Sequence, residues 1–110
     1  MTKSFDLIVL GAGMAAISAA NKCASAGWSV AVVDELPYGG TCALRGCDPK
    51  KILRRGAEII DGARLMRGKG VEDEGLNINW ADLIAFKRSF TDKLPENIET
   101  GLQENDVATL

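Results

Sequence analysis

The sequence contains no histidine and few aromatic residues, which make up 5% of its 110 positions. Without histidine, the three cysteines leave a tetrahedral zinc site incomplete, so we predict no metal site. A net charge of −2 gives no basic excess to attract nucleic acid or an acidic membrane surface. No apolar run approaches the roughly 18 residues that a membrane-spanning helix needs. We therefore expect neither nucleic acid nor a membrane as a partner.

The composition is that of an ordinary globular domain, with 46% hydrophobic and 25% charged residues. A chain of this length is sufficient for one domain with a single core. The N-terminus does not look like a secretory signal, because the apolar run from Leu7 to Leu10 is short and leads into a glycine turn. We therefore expect a cytoplasmic location, where a close cysteine pair is more often catalytic or metal-binding than structural.

The first third of the chain predicts a strand–helix–strand unit. Phe5 to Leu10 and Ser29 to Val33 are short, almost continuously apolar runs, as is typical of parallel strands covered on both faces. Met14 to Ala26 is rich in alanine and favours a helix, which Gly27 is placed to end. A right-handed crossover between two parallel strands then makes the start of an α/β sheet.

The remainder predicts a long helical hairpin and a third strand. One helix is expected from about Cys42 to Met66 and another from about Trp80 to Gln103, capped by Asn77 or Asn79. Each contains a proline near which we expect a disturbance or kink, Pro49 and Pro95 respectively. Val107 to Leu110 looks like a third strand that is cut off, since strands usually have five or six residues. We therefore predict an α/β, Rossmann-like parallel sheet truncated at its third strand.

The turn after the first strand matches the dinucleotide fingerprint G-x-G-x-x-G/A at Gly11, Gly13 and Ala16. Gly11 permits a tight turn, Gly13 lets a pyrophosphate approach the backbone, and Ala16 allows close packing of the helix on the strand. Asp34, at the end of the second strand, is where an acidic residue binds ribose hydroxyls in such folds. The alternative is a glycine-rich turn that holds no ligand.

A close pair of cysteines, Cys42 and Cys47, follows a Gly-Gly turn. A structural disulfide, a metal site and a redox pair are the alternatives, and the compartment argument favours the redox pair. A helix N-terminus and nearby cations stabilise a thiolate, the nucleophile of thiol–disulfide exchange. The pair is followed by four such cations: Lys50, Lys51, Arg54 and Arg55. Cys23, in the alanine-rich helix, is expected to be a core residue without a redox role.

Together these features resemble the class I pyridine nucleotide–disulfide oxidoreductases, the family that includes glutathione reductase, dihydrolipoamide dehydrogenase and mercuric reductase. The family's cysteine motif is roughly G-G-T-C-x-x-x-G-C-x-P-[KS]-K. The chain is similar to it at Gly39-Gly40-Thr41-Cys42, at Gly46-Cys47 and at Pro49-Lys50-Lys51. The resemblance covers essentially the whole chain.

The resemblance implies that the chain binds FAD. Gly11, Gly13 and Ala16 would then lie at the diphosphate and Asp34 at the adenosine ribose. In the same way the resemblance places two further cofactor contacts, Gly40 and Thr41, ahead of the first cysteine of the pair.

The resemblance also implies a route for electrons. NAD(P)H passes a hydride to the flavin, which reduces the disulfide between Cys42 and Cys47, and the pair then reduces a small-molecule disulfide substrate. Cys47 would be the thiolate next to the flavin, and Cys42 the thiol that attacks the substrate. Lys50 would lie near the flavin ring and polarise it.

One position departs from the family pattern. Asp48, where these enzymes usually carry an apolar residue, places a negative charge beside the pair. Such a charge opposes thiolate formation unless it is paired. Arg45 is the partner that we predict for it.

The resemblance further implies that residues 1–110 are the N-terminal part of the FAD-binding domain, with the nicotinamide and interface domains absent. In the family the interface domain supplies a histidine base from the partner subunit of a homodimer. This chain, which lacks histidine, is therefore expected to be inactive alone and prone to self-association through open sheet faces and edges. The alternative is a nucleotide-binding or self-associating chain without turnover.

Overall fold

The computed structural model describes residues 2–110 as an alternation of strands and helices. The elements are β1 (Leu7–Leu10), α1 (Met14–Ser25), β2 (Val30–Val33), α2 (Gly40–Leu44), α3 (Cys47–Leu65), α4 (Trp80–Thr91), α5 (Leu94–Glu104) and β3 (Val107–Thr109).

The three strands form one parallel sheet in the order β1-β2-β3. Val30 of β2 pairs with Leu7 on one side and with Val107 on the other, so the strands start level with one another. Ahead of β1 and β2, the Asp6 carboxylate accepts hydrogen bonds from the Ser29 backbone N and hydroxyl, both at 2.8 Å. The predicted α/β class and the parallel Rossmann-like sheet are confirmed.

The core lies on one face of this sheet, between the strands and the helices α1 and α5. Its largest fully buried side chains are Leu102, Val30, Val32 and Val107. Alanines let α1 pack closely, and Ala20 is completely buried against the strands. Cys23 is a free, half-buried thiol packed against this core, in agreement with the sequence prediction.

The single helix predicted from Cys42 to Met66 is wrong, since the structure has two helices here. Gly46 separates α2 from α3 with φ −128° and ψ −108°, which is not helical. Pro49 lies in the first turn of α3, where no intrahelical N–H bond is required of it, so it does not kink the helix.

The second long helix is also divided. α4 ends at Thr91 and α5 begins at Leu94, with Pro95 in its first turn, so the proline marks the start of a helix and not a kink within one. Of the two asparagines predicted as caps, Asn79 caps α4, its side chain accepting a hydrogen bond from the Asp82 backbone N at 3.3 Å. The hairpin is therefore formed by α3 and α4 alone.

The α3–α4 hairpin extends away from the sheet. Its connection turns at three glycines with positive φ and is closed by a two-bond ion pair from Arg67 to Asp73, at 2.8 and 2.6 Å. The described chain consequently measures 70 × 23 × 19 Å, with a radius of gyration of 20.3 Å. A compact domain of similar length has a radius of about 13 Å.

Candidate active site at the carboxyl edge of the sheet

The dinucleotide turn lies between β1 and α1. Gly11 has φ +100°, a conformation that favours glycine, and its backbone N donates to the Val33 carbonyl at 2.7 Å. Apart from Gly11 itself and its two chain neighbours, no heavy atom of the described residues lies within 4 Å of a Cβ built on Gly11, so the space above the turn is open. Gly13 is the N-cap of α1, and Ala16 lies half-buried in its first turn.

The start of α1 has the chemistry of an anion site. Within residues 2–110, no side chain caps this helix, and its first turn carries no acidic residue. Its first backbone N–H groups are therefore available to an incoming group at the positive end of the helix dipole. Together with the open glycine turn, these donors fit a diphosphate.

Asp34 ends β2 and faces the same turn. One carboxylate oxygen accepts a hydrogen bond from the Ala12 backbone N at 2.7 Å, and the other accepts one from the Leu36 backbone N at 2.9 Å. These bonds, the one from Leu36 first, lower the pKa of Asp34 below its usual 3.8, and the charge of Arg45 adds to the effect. Asp34 is therefore ionised at neutral pH, with each oxygen already in one protein hydrogen bond.

At Gly39 and Gly40, the start of α2 packs against the dinucleotide turn. The Gly39 backbone N donates to the Ala12 carbonyl at 2.9 Å. Gly40 has φ +68°, and a Cβ at this position would lie 2.6 Å from the Cα of Gly13. Gly40 is thus in contact with the backbone of the turn, which is a role that the sequence alone did not indicate.

The cysteine pair lies directly beyond this contact. Cys42, in α2, is half-buried, while Cys47, the first residue of α3, is exposed. Both are free thiols, and they lie beside each other. Hydrogen bonding with Cys47 is the main cause that raises the pKa of Cys42, and burial and the charges of Cys47 and Asp48 raise it further. In the reduced pair, the expected thiolate stabilisation therefore does not appear at Cys42.

The other predicted site residues surround the pair. Thr41 is exposed in the first turn of α2, and Lys50 is exposed in the first turn of α3. The predicted pairing of Arg45 with Asp48 is wrong for the described residues, because the ion pair of Asp48 is formed with Lys51 at 3.8 Å. Both partners of that pair are largely exposed, so it contributes little to stability.

Tyr38 is the residue of this region that the sequence argument missed. It is buried next to Gly39, and its hydroxyl donates to the Val32 carbonyl at 3.0 Å and accepts from the Leu110 backbone N at 3.1 Å. Tyr38 therefore fixes the loop ahead of α2 to β2 and to the residue after β3. The available signal was the only tyrosine of the chain, in the loop between the second strand and the cysteine pair.

Residues 2–110 contain no cluster of three or more histidine, cysteine or acidic residues placed to hold a metal ion. None of their helices combines the length and the apolar character needed to cross a membrane.

The site combines a glycine turn at a helix N-terminus, which suits the diphosphate of a dinucleotide, with an adjoining pair of thiols. The family model described as pyridine nucleotide-disulphide oxidoreductase matches residues 5–110, and the chain belongs to this family. Members of the family use FAD and NAD(P)H.

Three relatives illustrate the similarity. The chain is 36% identical over 107 residues to a dihydrolipoyl dehydrogenase of Bacillus subtilis, which covers 97% of the chain and 23% of that protein. It is 38% identical over 101 residues to a glutathione reductase of Burkholderia cepacia, covering 92% and 22%. It is 35% identical over 112 aligned positions to a trypanothione reductase of Leishmania donovani, covering 91% and 23%. The chain thus spans less than a quarter of the length of these curated relatives.

Proposed function

We propose that these residues form the FAD-binding, redox-active-disulfide segment of a flavin-dependent NAD(P)H:disulfide oxidoreductase, and that they are the first part of its FAD-binding domain. The observation that carries the proposal is the direct contact between the two motifs. The backbone of Gly39 and Gly40, just before Cys42, rests on Ala12 and Gly13 of the dinucleotide turn. A cofactor held by the turn would therefore lie close to the cysteine pair.

In this proposal the dinucleotide turn holds FAD. Backbone N–H groups at Gly13 and the start of α1 bind the diphosphate, and Gly11 and Ala16 leave room for it. Asp34 is placed to accept from the ribose hydroxyls with the lone pairs that its two backbone bonds leave free. Gly40 and Thr41, at the start of α2, complete the contact.

The cofactor supplies the hydride chemistry that connects NAD(P)H to the protein. Two electrons and two protons convert the disulfide between Cys42 and Cys47 into two thiols. The Cys42 thiolate then attacks a small-molecule disulfide, forming a mixed disulfide and releasing one substrate thiol. Cys47 attacks the Cys42 sulfur, releases the second thiol and restores the disulfide. Lys50 provides positive charge beside these steps.

The experiment that tests the proposal is a redox titration of the pair together with a flavin-retention assay. The purified chain is mixed with FAD and desalted, and the visible absorption is recorded. Its thiols are counted after equilibration with mixtures of reduced and oxidised glutathione. We expect one two-electron couple that persists in Cys23→Ser and disappears in Cys42→Ser. A pair that forms no disulfide would refute the redox assignment.

A second candidate is a self-associating or nucleotide-binding chain without turnover. Ile8 and Leu10 of β1 are 53% and 82% exposed on the sheet face opposite the core, and β1 is an edge strand. Such surfaces favour association between copies. Light scattering over a range of concentrations tests this, and a constant monomer mass would contradict it.

The whole protein is proposed to be a cytoplasmic homodimer that reduces a small-molecule disulfide. The support is membership of the family, in which the interface domain of a partner subunit supplies a histidine base that these 110 residues do not contain. By the same reasoning these 110 residues are proposed to be inactive alone. Full disulfide reductase activity of the isolated chain with FAD and NAD(P)H would contradict this.

A further inference from the structure

The Asp34 carboxylate joins two segments that are far apart in the chain. One oxygen holds the Ala12 backbone N of the dinucleotide turn at 2.7 Å, and the other holds the Leu36 backbone N at 2.9 Å. Leu36 begins the loop that leads to the cysteine pair. A single ionised side chain therefore bridges this loop and the turn.

The connection closes into a ring. Ala12, which is completely buried, donates its N–H to Asp34 and accepts from the Gly39 backbone N at 2.9 Å. Between Leu36 and Gly39, the Tyr38 hydroxyl is bonded to the Val32 carbonyl at 3.0 Å. The loop is thus held at its start, its middle and its end, and Cys42 follows three residues later.

We infer that Asp34 is a positioning residue for the redox pair: through Ala12 and Leu36 it sets where α2, and with it Cys42, lies relative to the dinucleotide turn. This inference rests on the proposed redox role of Cys42 and Cys47. It is separate from any contact of Asp34 with a ribose, because it acts through bonds within the protein.

Asparagine at position 34 keeps the shape of the side chain but not both bonds. Its amide offers one acceptor oxygen, so either the Ala12 or the Leu36 N–H faces an NH₂ group. Cys42 lies in α2 and Cys47 in α3, so a shift of α2 moves one of the two sulfurs that must reach bonding distance when the disulfide forms. We therefore expect the equilibrium constant of the pair against glutathione to change by about threefold or more, given that hydrogen bonds to charged groups are among the stronger ones.

The test uses the flavin-free 110-residue chain in a Cys23→Ser background, so that only Cys42 and Cys47 titrate and no ribose is present. Asp34→Asn is compared with Glu35→Gln, which removes the same charge from the adjacent, exposed residue. Each variant is equilibrated with glutathione buffers, alkylated and counted for thiols, and its fold is monitored by far-ultraviolet circular dichroism. We expect the constant to move in Asp34→Asn and to stay at the parent value in Glu35→Gln.

The outcomes separate the two proposals. Equal constants in folded Asp34→Asn and Glu35→Gln would overturn the positioning role while leaving the redox pair intact. If Asp34→Asn loses its helical signal, Asp34→Glu, which keeps the charge but shifts the carboxylate by one methylene, is judged by the same comparison. Failure of the parent chain to form the Cys42–Cys47 disulfide would overturn the proposed function and this inference with it.

Discussion

Gly40→Ala should destabilise the chain more than any other glycine-to-alanine change at the site. The new Cβ would lie 2.6 Å from the Cα of Gly13 and 3.3 Å from its N, which are backbone atoms that cannot rotate away. The residue would also hold φ at +68°, in the left-handed region.

The magnitude combines these two costs with one gain from the unfolded state. The left-handed conformation costs an alanine about 1–2 kcal/mol, and overpacking against fixed atoms typically costs about 1–3 kcal/mol. Alanine also restricts the unfolded chain, which stabilises the folded state by about 0.4–1 kcal/mol. We expect a net loss of roughly 2–3 kcal/mol in the free energy of unfolding.

Urea unfolding followed by far-ultraviolet circular dichroism measures this loss, and Gly62→Ala is the matched control. Gly62 lies inside α3, and apart from its chain neighbours and the adjoining backbone of that helix no heavy atom of the described residues comes within 4 Å of its added Cβ. Alanine there should stabilise the chain by up to about 1 kcal/mol through helix propensity. Equal unfolding midpoints for the two variants would refute the contact between Gly40 and the dinucleotide turn.

Three further measurements follow from the hydrogen-bond network. Tyr38→Phe removes the hydroxyl donor of the Val32 carbonyl, which keeps its bond from the Leu110 backbone N, and should cost about 0.5–1.5 kcal/mol in urea unfolding; a neutral effect would contradict the hydroxyl bond. Burial raises the pKa of Tyr38, the only tyrosine, above 10.0, so tyrosinate absorbance should rise at higher pH in the folded chain than in urea. Three carboxyls have a pKa below 3.8 because they accept hydrogen bonds. The donors are Ser29 for Asp6, Leu36 and Ala12 for Asp34, and Arg67 for Asp73. The folded state therefore binds these protons more weakly than the unfolded chain does. The resulting stabilisation is fully present at pH values above 3.8 and is lost as the pH falls through the lowered pKa values of the folded state. Urea midpoints that stay constant on acidification through this range would contradict the assignment.

Local patterns were sufficient for the strands and for the position of α1. Continuous apolar runs and alanine content depend on neighbours in the sequence, and β3 at Val107–Thr109 lies within one residue of its prediction. The breaks at Gly46 and at Asp92 were missed for the opposite reason. At Gly46 the chain changes direction because α2 packs on α1 while α3 leaves towards α4, and at Asp92 it turns from α4 into α5; both depend on contacts between elements.

The features of the site likewise divide into those that the local sequence predicts and those that depend on contacts in the folded structure. Spacing along the chain was sufficient to select Gly11, Asp34 and the cysteine pair as candidates. It contained no information on the bonds from Asp34 to Ala12 and Leu36, because these bonds join atoms that only the folded sheet brings together. The role of Gly40 was likewise hidden, since a close approach to Gly13 depends on how α2 seats on the turn.

The projecting α3–α4 hairpin has a hydrodynamic consequence. The described residues expose 7796 Å², whereas a compact monomer of 11.7 kDa exposes about 5,900 Å². A particle with a 70 Å long axis and short axes of 23 and 19 Å diffuses more slowly than a sphere of equal mass, so a monomer leaves a sizing column early. A single copy of this chain should therefore elute ahead of a compact protein of the same mass, and its association state has to be read from its mass.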